Sequence, residues 1–291
     1  MLSYQHAFHA GNHADLLKHY VLCFVLNSLN KKEKPYTLYD THSGSGLYDL
    51  LDNRSLKTEE AKKGITALLS KKDFPQELSL YIDTVNKYYK KNFYPGSPVI
   101  EKVFLRPQDF MFLSELHPAE FENLKNNIGS AKNIQIININ GFEMLKSQTP
   151  PVTKRGAVLI DPSYEEAKDY EDVSKTVIAV NKKWSNGIIM VWYPLLSHRK
   201  FEIENMINSI TEAVHKVNAN TEILNLQLCV NSPDAHEETD LQTVLSNTDK
   251  KNPPRLYGSG MLVINAPWHL AEESDIVIKY LTSVFYFQKS L

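Results

Sequence analysis

The chain has 291 residues, 42% hydrophobic and 23% charged, with a formal net charge of −2. That is room for one large core, or one core with an insertion, and it excludes the disordered, fibrous and globally basic nucleic-acid-binding classes. A polyanionic partner would have to meet a local patch: residues 1–100 hold 13 Lys and Arg against 10 Asp and Glu, whereas residues 101–291 hold 19 against 24.

In chain order, Asn12 is placed to cap a helix whose apolar positions Leu16, Leu17, Tyr20, Val21, Phe24, Val25 and Leu29 recur at helical spacing. The first strand, Tyr36 to Asp40, stops in Thr41-His42-Ser43-Gly44-Ser45-Gly46, a glycine turn. Six further strand candidates follow, with helical stretches between them: Phe110–Glu115, Ile134–Ile139, Ala157–Asp161, Gly187–Trp192, Leu224–Cys229 and Met261–Asn265. Continuous apolar strands alternating with helices predict an α/β fold with a buried, mostly parallel sheet. The first two strands stand too far apart for a simple crossover, so 47–98 reads as an inserted helical subdomain beside the ligand crevice. The polar stretch Asn231–Arg255 reads as a long connection before the last strand. Cys23 and Cys229 lie in apolar runs and read as buried thiols. The N-terminus has no basic-then-apolar leader and the first apolar run is too short to span about 30 Å of bilayer, so a cytoplasmic protein without membrane contact is expected.

Ligands of such sheets bind beyond the carboxyl ends of the strands, which puts Asp40, His42, Glu115, Asn140 and Asp161 at the crevice. Gly44-Ser45-Gly46 offers backbone N–H groups to a nucleotide-like ligand, yet also fits a plain tight turn. Asp49 stands where a dinucleotide fingerprint needs its third glycine. Glu115 suits two ribose hydroxyls and Asn140-Gly141 an adenine ring; each equally suits an ordinary strand end. Asp161-Pro162-Ser163-Tyr164 is the most specific feature, joining a carboxylate, a rigid carbonyl and an aromatic ring after an apolar strand. Two acceptors, from Asp161 and the Pro162 carbonyl, would hold the two protons of an exocyclic adenine amine while Tyr164 stacks on the base; a strand-terminating turn is the bland alternative. Five of the ten histidines fall within the first 42 residues, but without H-E-x-x-H or a cysteine pattern they argue against a metal site. The absence of G-x-S-x-G argues against a serine hydrolase.

The segments MLSYQHAFHAGNHADLLKH, YDTHSGSG, YPGSP, SELHP, LIDPSY, WYP and GSGMLVINAPW, in that order over nearly the whole chain, resemble the 23S ribosomal RNA adenine-N6 methyltransferases of the RlmJ type. The resemblance implies a Rossmann-like class I methyltransferase fold, with a seven-stranded sheet in a methyltransferase domain of residues 1–46 and 99–291 and the small helical insertion at 47–98. It further implies a monomer that acts on 23S rRNA, uses S-adenosyl-L-methionine without a metal and releases S-adenosyl-L-homocysteine. Carried over, its cofactor contacts fall on His19, His42, Ser97, Glu115, Asn140, Gly141 and Asp161, and its catalytic acceptor on Asp161. Tyr4 falls at the RNA substrate, with His6 and Lys18 in support. Two positions depart from the family: Asn140 stands where Asp is frequent, and Ser163 replaces the second proline of Asp-Pro-Pro-Tyr. Serine regains a backbone N–H and a wider φ range, so a loosened motif with reduced turnover is expected. The competing expectation is an RNA-binding protein of the same fold that has lost turnover.

Overall fold

The computed structural model describes residues 6–232 and 256–286. Its strands are β1 (Thr37–Asp40), β2 (Leu47–Asp49), β3 (Phe93–Pro95), β4 (Phe110–Ser114), β5 (Ile134–Ile137), β6 (Gly156–Ile160), β7 (Ile188–Leu196), β8 (Ile223–Cys229) and β9 (Leu256–Ile264). The helices are α1 (His13–Asn30), α2 (Asn53–Thr58), α3 (Ala67–Leu69), α4 (Ser79–Tyr89), α5 (Ser97–Phe104), α6 (Pro118–Ile128), α7 (Gly141–Gln148), α8 (Ala167–Lys183), α9 (Lys200–Val217) and α10 (Leu270–Phe285). Seven strands form one sheet in the order β5-β4-β1-β6-β7-β9-β8. The first five are parallel, and β9 runs antiparallel between β7 and β8.

Alternation along the strands builds a core on each face of this Rossmann-like sheet. Leu38, Met111, Leu113, Ala157, Leu159, Met190 and Val263 pack with α1, α5, α6 and α10. Tyr39, Val158, Ile160, Ile189, Val191, Leu262 and Ile264 pack with α7, α8 and α9.

All seven expected strands are present, but two are longer than their apolar runs. β7 continues to Leu196 and β9 begins at Leu256, paired with each other along that length. Pro194 and the Gly258-Ser259-Gly260 triplet disguise this extension. Beyond Val191, β7 has no β6 neighbour, so Pro194 sits where the strand is an edge on that side. Gly260 is a packing requirement: a Cβ there would lie 2.1 Å from the Tyr193 ring.

Helix α1 starts where the sequence places it, with the Asn12 side chain accepting from the N–H groups of Ala14 (3.0 Å) and Asp15 (3.1 Å). Thirteen of its 18 residues are buried, among them Asp15, Lys18 and His19, so it is a central helix rather than a surface one. Residues 47–95 cover its outer side. They include α2, a π-helical turn (Lys62–Thr66), α3 and α4, and they are bracketed by β2 and β3, which pair antiparallel through Tyr48 and Tyr94. The stretch is therefore helical with a two-stranded base, a pairing that its polar sequence did not announce. Ile65, Leu68, Tyr81, Val85 and Tyr94 join the same cluster as Leu16, Leu17 and Val21. Among the described residues no helix is long and apolar enough to cross a membrane. Tyr4 and positions 233–255 of the expected Asn231–Arg255 connection lie outside the described residues.

Candidate active site

Strand register brings the carboxyl ends of β1, β4, β6 and β7 to one edge: Asp40 pairs with Leu113 and Leu159, and Ile160 with Val191. Asp161 and Trp192 thus lie on adjacent strands, each one residue past a paired position. The first turns of α1 meet this edge. Lys18 Nζ donates to Asp161 at 2.6 Å and to Asp15 at 2.8 Å. Asp15 in turn accepts from His6 Nε2 at 3.0 Å and from the Gly11 N–H at 2.8 Å. Burial opposes a charge on Lys18, but the two carboxylates outweigh it and raise its pKa above the ordinary lysine value. Burial likewise disfavours the Asp15 anion; His6 and Lys18 overcome this and hold its pKa well below the carboxylate range. A buried array of this kind is intolerant of losing one member, because the remaining charge is left uncompensated.

A second group of side chains surrounds the glycine turn. Glu115 accepts from the N–H groups of Gly44 (2.8 Å) and His117 (2.7 Å), tying the end of β4 to the turn. Its carboxyl is raised by burial, against those two donors. Ser97, at the start of α5, donates to Asp40 at 2.7 Å. Burial lifts Asp40 to about 6, which the Ser97 hydroxyl and His42 N–H partly counter. His42 Nδ1 lies 2.7 Å from the Thr41 hydroxyl, its ring edge-on to Phe142, and burial lowers it to about 4. His19 is fully buried: Nδ1 meets the Tyr94 hydroxyl at 2.8 Å, and Nε2 has no hydrogen-bond partner among the described residues. Burial first, then Lys18 and His6, lower it to about 3 against the pull of Asp15. Gly141 lets α7 abut the end of β1, since a Cβ there would lie 2.1 Å from the Thr41 carbonyl oxygen.

Two expected roles meet a different geometry. Tyr164 was expected to stack on a base, but only 3% of it is exposed. A φ of 52° turns its ring into the core, against Tyr170 (4.6 Å between centroids) and Trp192 (6.1 Å), and its hydroxyl donates to the Trp192 carbonyl at 2.8 Å. In this conformation the ring supports the loop from beneath, while Ser163 is exposed. Asn140 was expected to offer its oxygen to an adenine; that oxygen caps α7, accepting from Phe142 (2.8 Å) and Glu143 (3.3 Å). His6, Lys18 and Asp161 come together, as do His42, Ser97 and Glu115 around Asp40 and Gly44. Asp15 and Trp192 were not among the residues singled out, and Asp40 was placed at the crevice without a role of its own. Asp15 and Lys18 stand at the i, i+3 spacing of a helix pair, and Asp40 closes β1, so both carried a readable signal. Trp192 required the β6–β7 register; its ring lies under Lys18 Nζ at 5.8 Å. Among the described residues no three His, Cys, Asp or Glu side chains form a metal-binding group.

Comparison with known proteins converges on one family. A family model described as "RsmJ: Ribosomal RNA large subunit methyltransferase D, RlmJ" matches residues 33–289. A protein of Escherichia coli (strain K12) named "Ribosomal RNA large subunit methyltransferase J" is 35% identical over 286 residues, covering 97% of this chain and 94% of that protein. Its namesake from Haemophilus influenzae is 38% identical, covering 97% and 93%. The crystal structure of a Legionella pneumophila protein superposes with a TM-score of 0.78 at 30% identity, covering 96% of this chain and 94% of that one.

Proposed function

The chain belongs to the RlmJ family of ribosomal RNA large subunit methyltransferases, and on that premise we propose that it methylates the exocyclic N6 amine of one adenine in 23S rRNA, with S-adenosylmethionine as donor. The observation that carries this reading is the Asp161 carboxylate, fixed by Lys18 at 2.6 Å at the end of β6, beside the turn and strand ends where a nucleoside-bearing cofactor belongs.

The residues present fit that cofactor. The buried, unpartnered Nε2 of His19 is a polar atom waiting for a ligand, and burial keeps its ring neutral. Glu115 is held by two backbone N–H groups with lone pairs left for ribose hydroxyls. Ser97 and His42 converge on Asp40, and Gly141 holds α7 close to β1. Asn140, with its oxygen committed to α7, offers its NH2 group to the adenine in place of the acceptor that aspartate supplies. When bound, S-adenosylmethionine would supply an activated methyl group and leave as S-adenosylhomocysteine.

Toward the substrate, Asp161 accepts a hydrogen bond from one amine N–H and the Pro162 carbonyl from the other, which favours the nitrogen's rehybridisation and aligns it with the methyl. Lys18 fixes the carboxylate in place. Trp192, half-buried with its ring 5.8 Å from Lys18 Nζ, is the aromatic surface we assign to the base in place of Tyr164, whose ring packs against it. His6, on Asp15 beside Lys18, is proposed for the substrate side, and the family resemblance adds Tyr4, which lies outside the described residues. We place the protein in the cytoplasm and expect it to act as a monomer. Methyl transfer to unmodified 23S rRNA tests the whole reading: product should be N6-methyladenine, and transfer by Asp161→Ala equal to that of the unaltered protein would disprove it. Cofactor and RNA binding without product would instead favour the RNA-binding alternative.

A further inference from the structure

Asp15 has no part in the grip on the amine, yet its position is as constrained as that of Asp161. It is 2% exposed, accepts from Gly11 and His6 through one oxygen, and holds Lys18 through the other at 2.8 Å. Lys18 spans to Asp161 at 2.6 Å, so one ammonium is shared by two carboxylates and the three side chains together carry one net negative charge. His19, fully buried, also faces Asp15 from the same helix.

A lysine facing Asp161 poses an electrostatic problem for the reaction proposed above. The methyl donor carries a sulfonium and an ammonium against one carboxylate, a net charge of +1, whereas the product has lost the sulfonium charge and is neutral. Transfer in line to an amine held on Asp161 brings the sulfonium into the neighbourhood of Lys18, which is only 4% exposed, and like charges repel strongly away from water. One carboxylate cancels the lysine; a second is needed for the cluster to attract a cation.

We propose that Asp15 is a positioning residue for methyl transfer, which holds Lys18 on Asp161 and supplies the second negative charge that lets a cationic donor bind beside a lysine. This rests on the assignment of S-adenosylmethionine as donor. Asp15 acts through Lys18 and touches neither substrate nor cofactor.

The consequence is a discrimination between donor and product that a purely structural role would not produce. Binding of S-adenosylmethionine and of S-adenosylhomocysteine to the full chain is measured by calorimetry. Asp15→Asn should raise the donor Kd about 5- to 10-fold and the product Kd less than about twofold, the size of one unscreened charge across a partly buried site. Removing the lysine as well, in D15N/K18M, returns the cluster to one net negative charge and should restore the ratio of the two constants. Equal weakening of both ligands by Asp15→Asn, or a ratio that D15N/K18M fails to restore, overturns the proposal. If Asp15→Asn does not fold, the double variant, which leaves no uncompensated lysine, decides: selective loss of the donor there refutes it. Failure of the unaltered protein to bind either ligand refutes the donor assignment first, and this proposal with it.

Discussion

Asp161 commits one carboxylate oxygen to Lys18, and the proposed grip leaves the other for the amine, so its charge matters more than its shape. Asp161→Asn keeps the volume but loses an ionised acceptor for both lysine and amine. Single-turnover methyl transfer should fall by roughly 10²-fold or more, the scale of losing one preorganised electrostatic contact, beyond the about 5- to 10-fold rise in donor Kd that losing one negative charge from the cluster brings. Ser163, exposed on the same loop, separates the Pro162 carbonyl from the buried Tyr164 anchor. Ser163→Pro should raise kcat several-fold without altering cofactor affinity, as expected if only the preorganisation of the loop changes. His19 supplies a pH signature. Burial lowers its folded pKa from 6.5 to about 3, so the unfolded chain binds the extra proton between those values. Its contribution to stability is complete above pH 6.5 and is lost as pH falls toward 3. Urea denaturation across that window should show a shallower loss in His19→Gln than in the unaltered protein.

Two helix starts carry the site. At α1, Asn12 caps the helix and its amide also donates to Glu60 at 2.9 Å, joining the N-terminal motif to the covering segment. Asn12→Ala removes both and should cost about 1 to 2 kcal/mol in chemical denaturation, the upper range for an N-cap. At α7, a Cβ on residue 141 would come within 2.1 Å of the Thr41 oxygen, which leaves no room for even a methyl group. Gly141→Ala should therefore push the helix start away from β1 and weaken cofactor binding at least tenfold while the sheet survives, a shift that calorimetry and thermal melting separate. The cap and apolar spacing of α1 were legible because both are local. The ends of β7 and β9 were not: Pro194 and Gly260 read as breakers until the edge position of one and the Tyr193 ring against the other are known.

Across the molecule, the sheet divides two cores, and α1 belongs to the larger with residues from the 47–95 segment packed on it. We propose that this segment is a cover for α1 rather than an independent subdomain. Replacing 50–92 with a short linker would expose the surface around Leu16, Leu17 and Val21, and should abolish cooperative unfolding instead of yielding a trimmed enzyme, as a thermal melt would reveal. The α/β architecture, the seven strands, the capped first helix and the family were legible in the residues alone, because apolar periodicity, capping residues and contiguous motifs are encoded within short windows. The same windows also marked Asp161, His42 and Glu115 as strand-end residues. It took the folded chain to bring Asp15, Lys18 and Asp161 into one charged array, to turn the Tyr164 ring into the core, and to commit the Asn140 oxygen to its own helix. Those outcomes depend on distances between segments as much as 143 positions apart in the chain and on a single backbone angle, φ 52° at Tyr164, neither of which any local pattern of residues specifies.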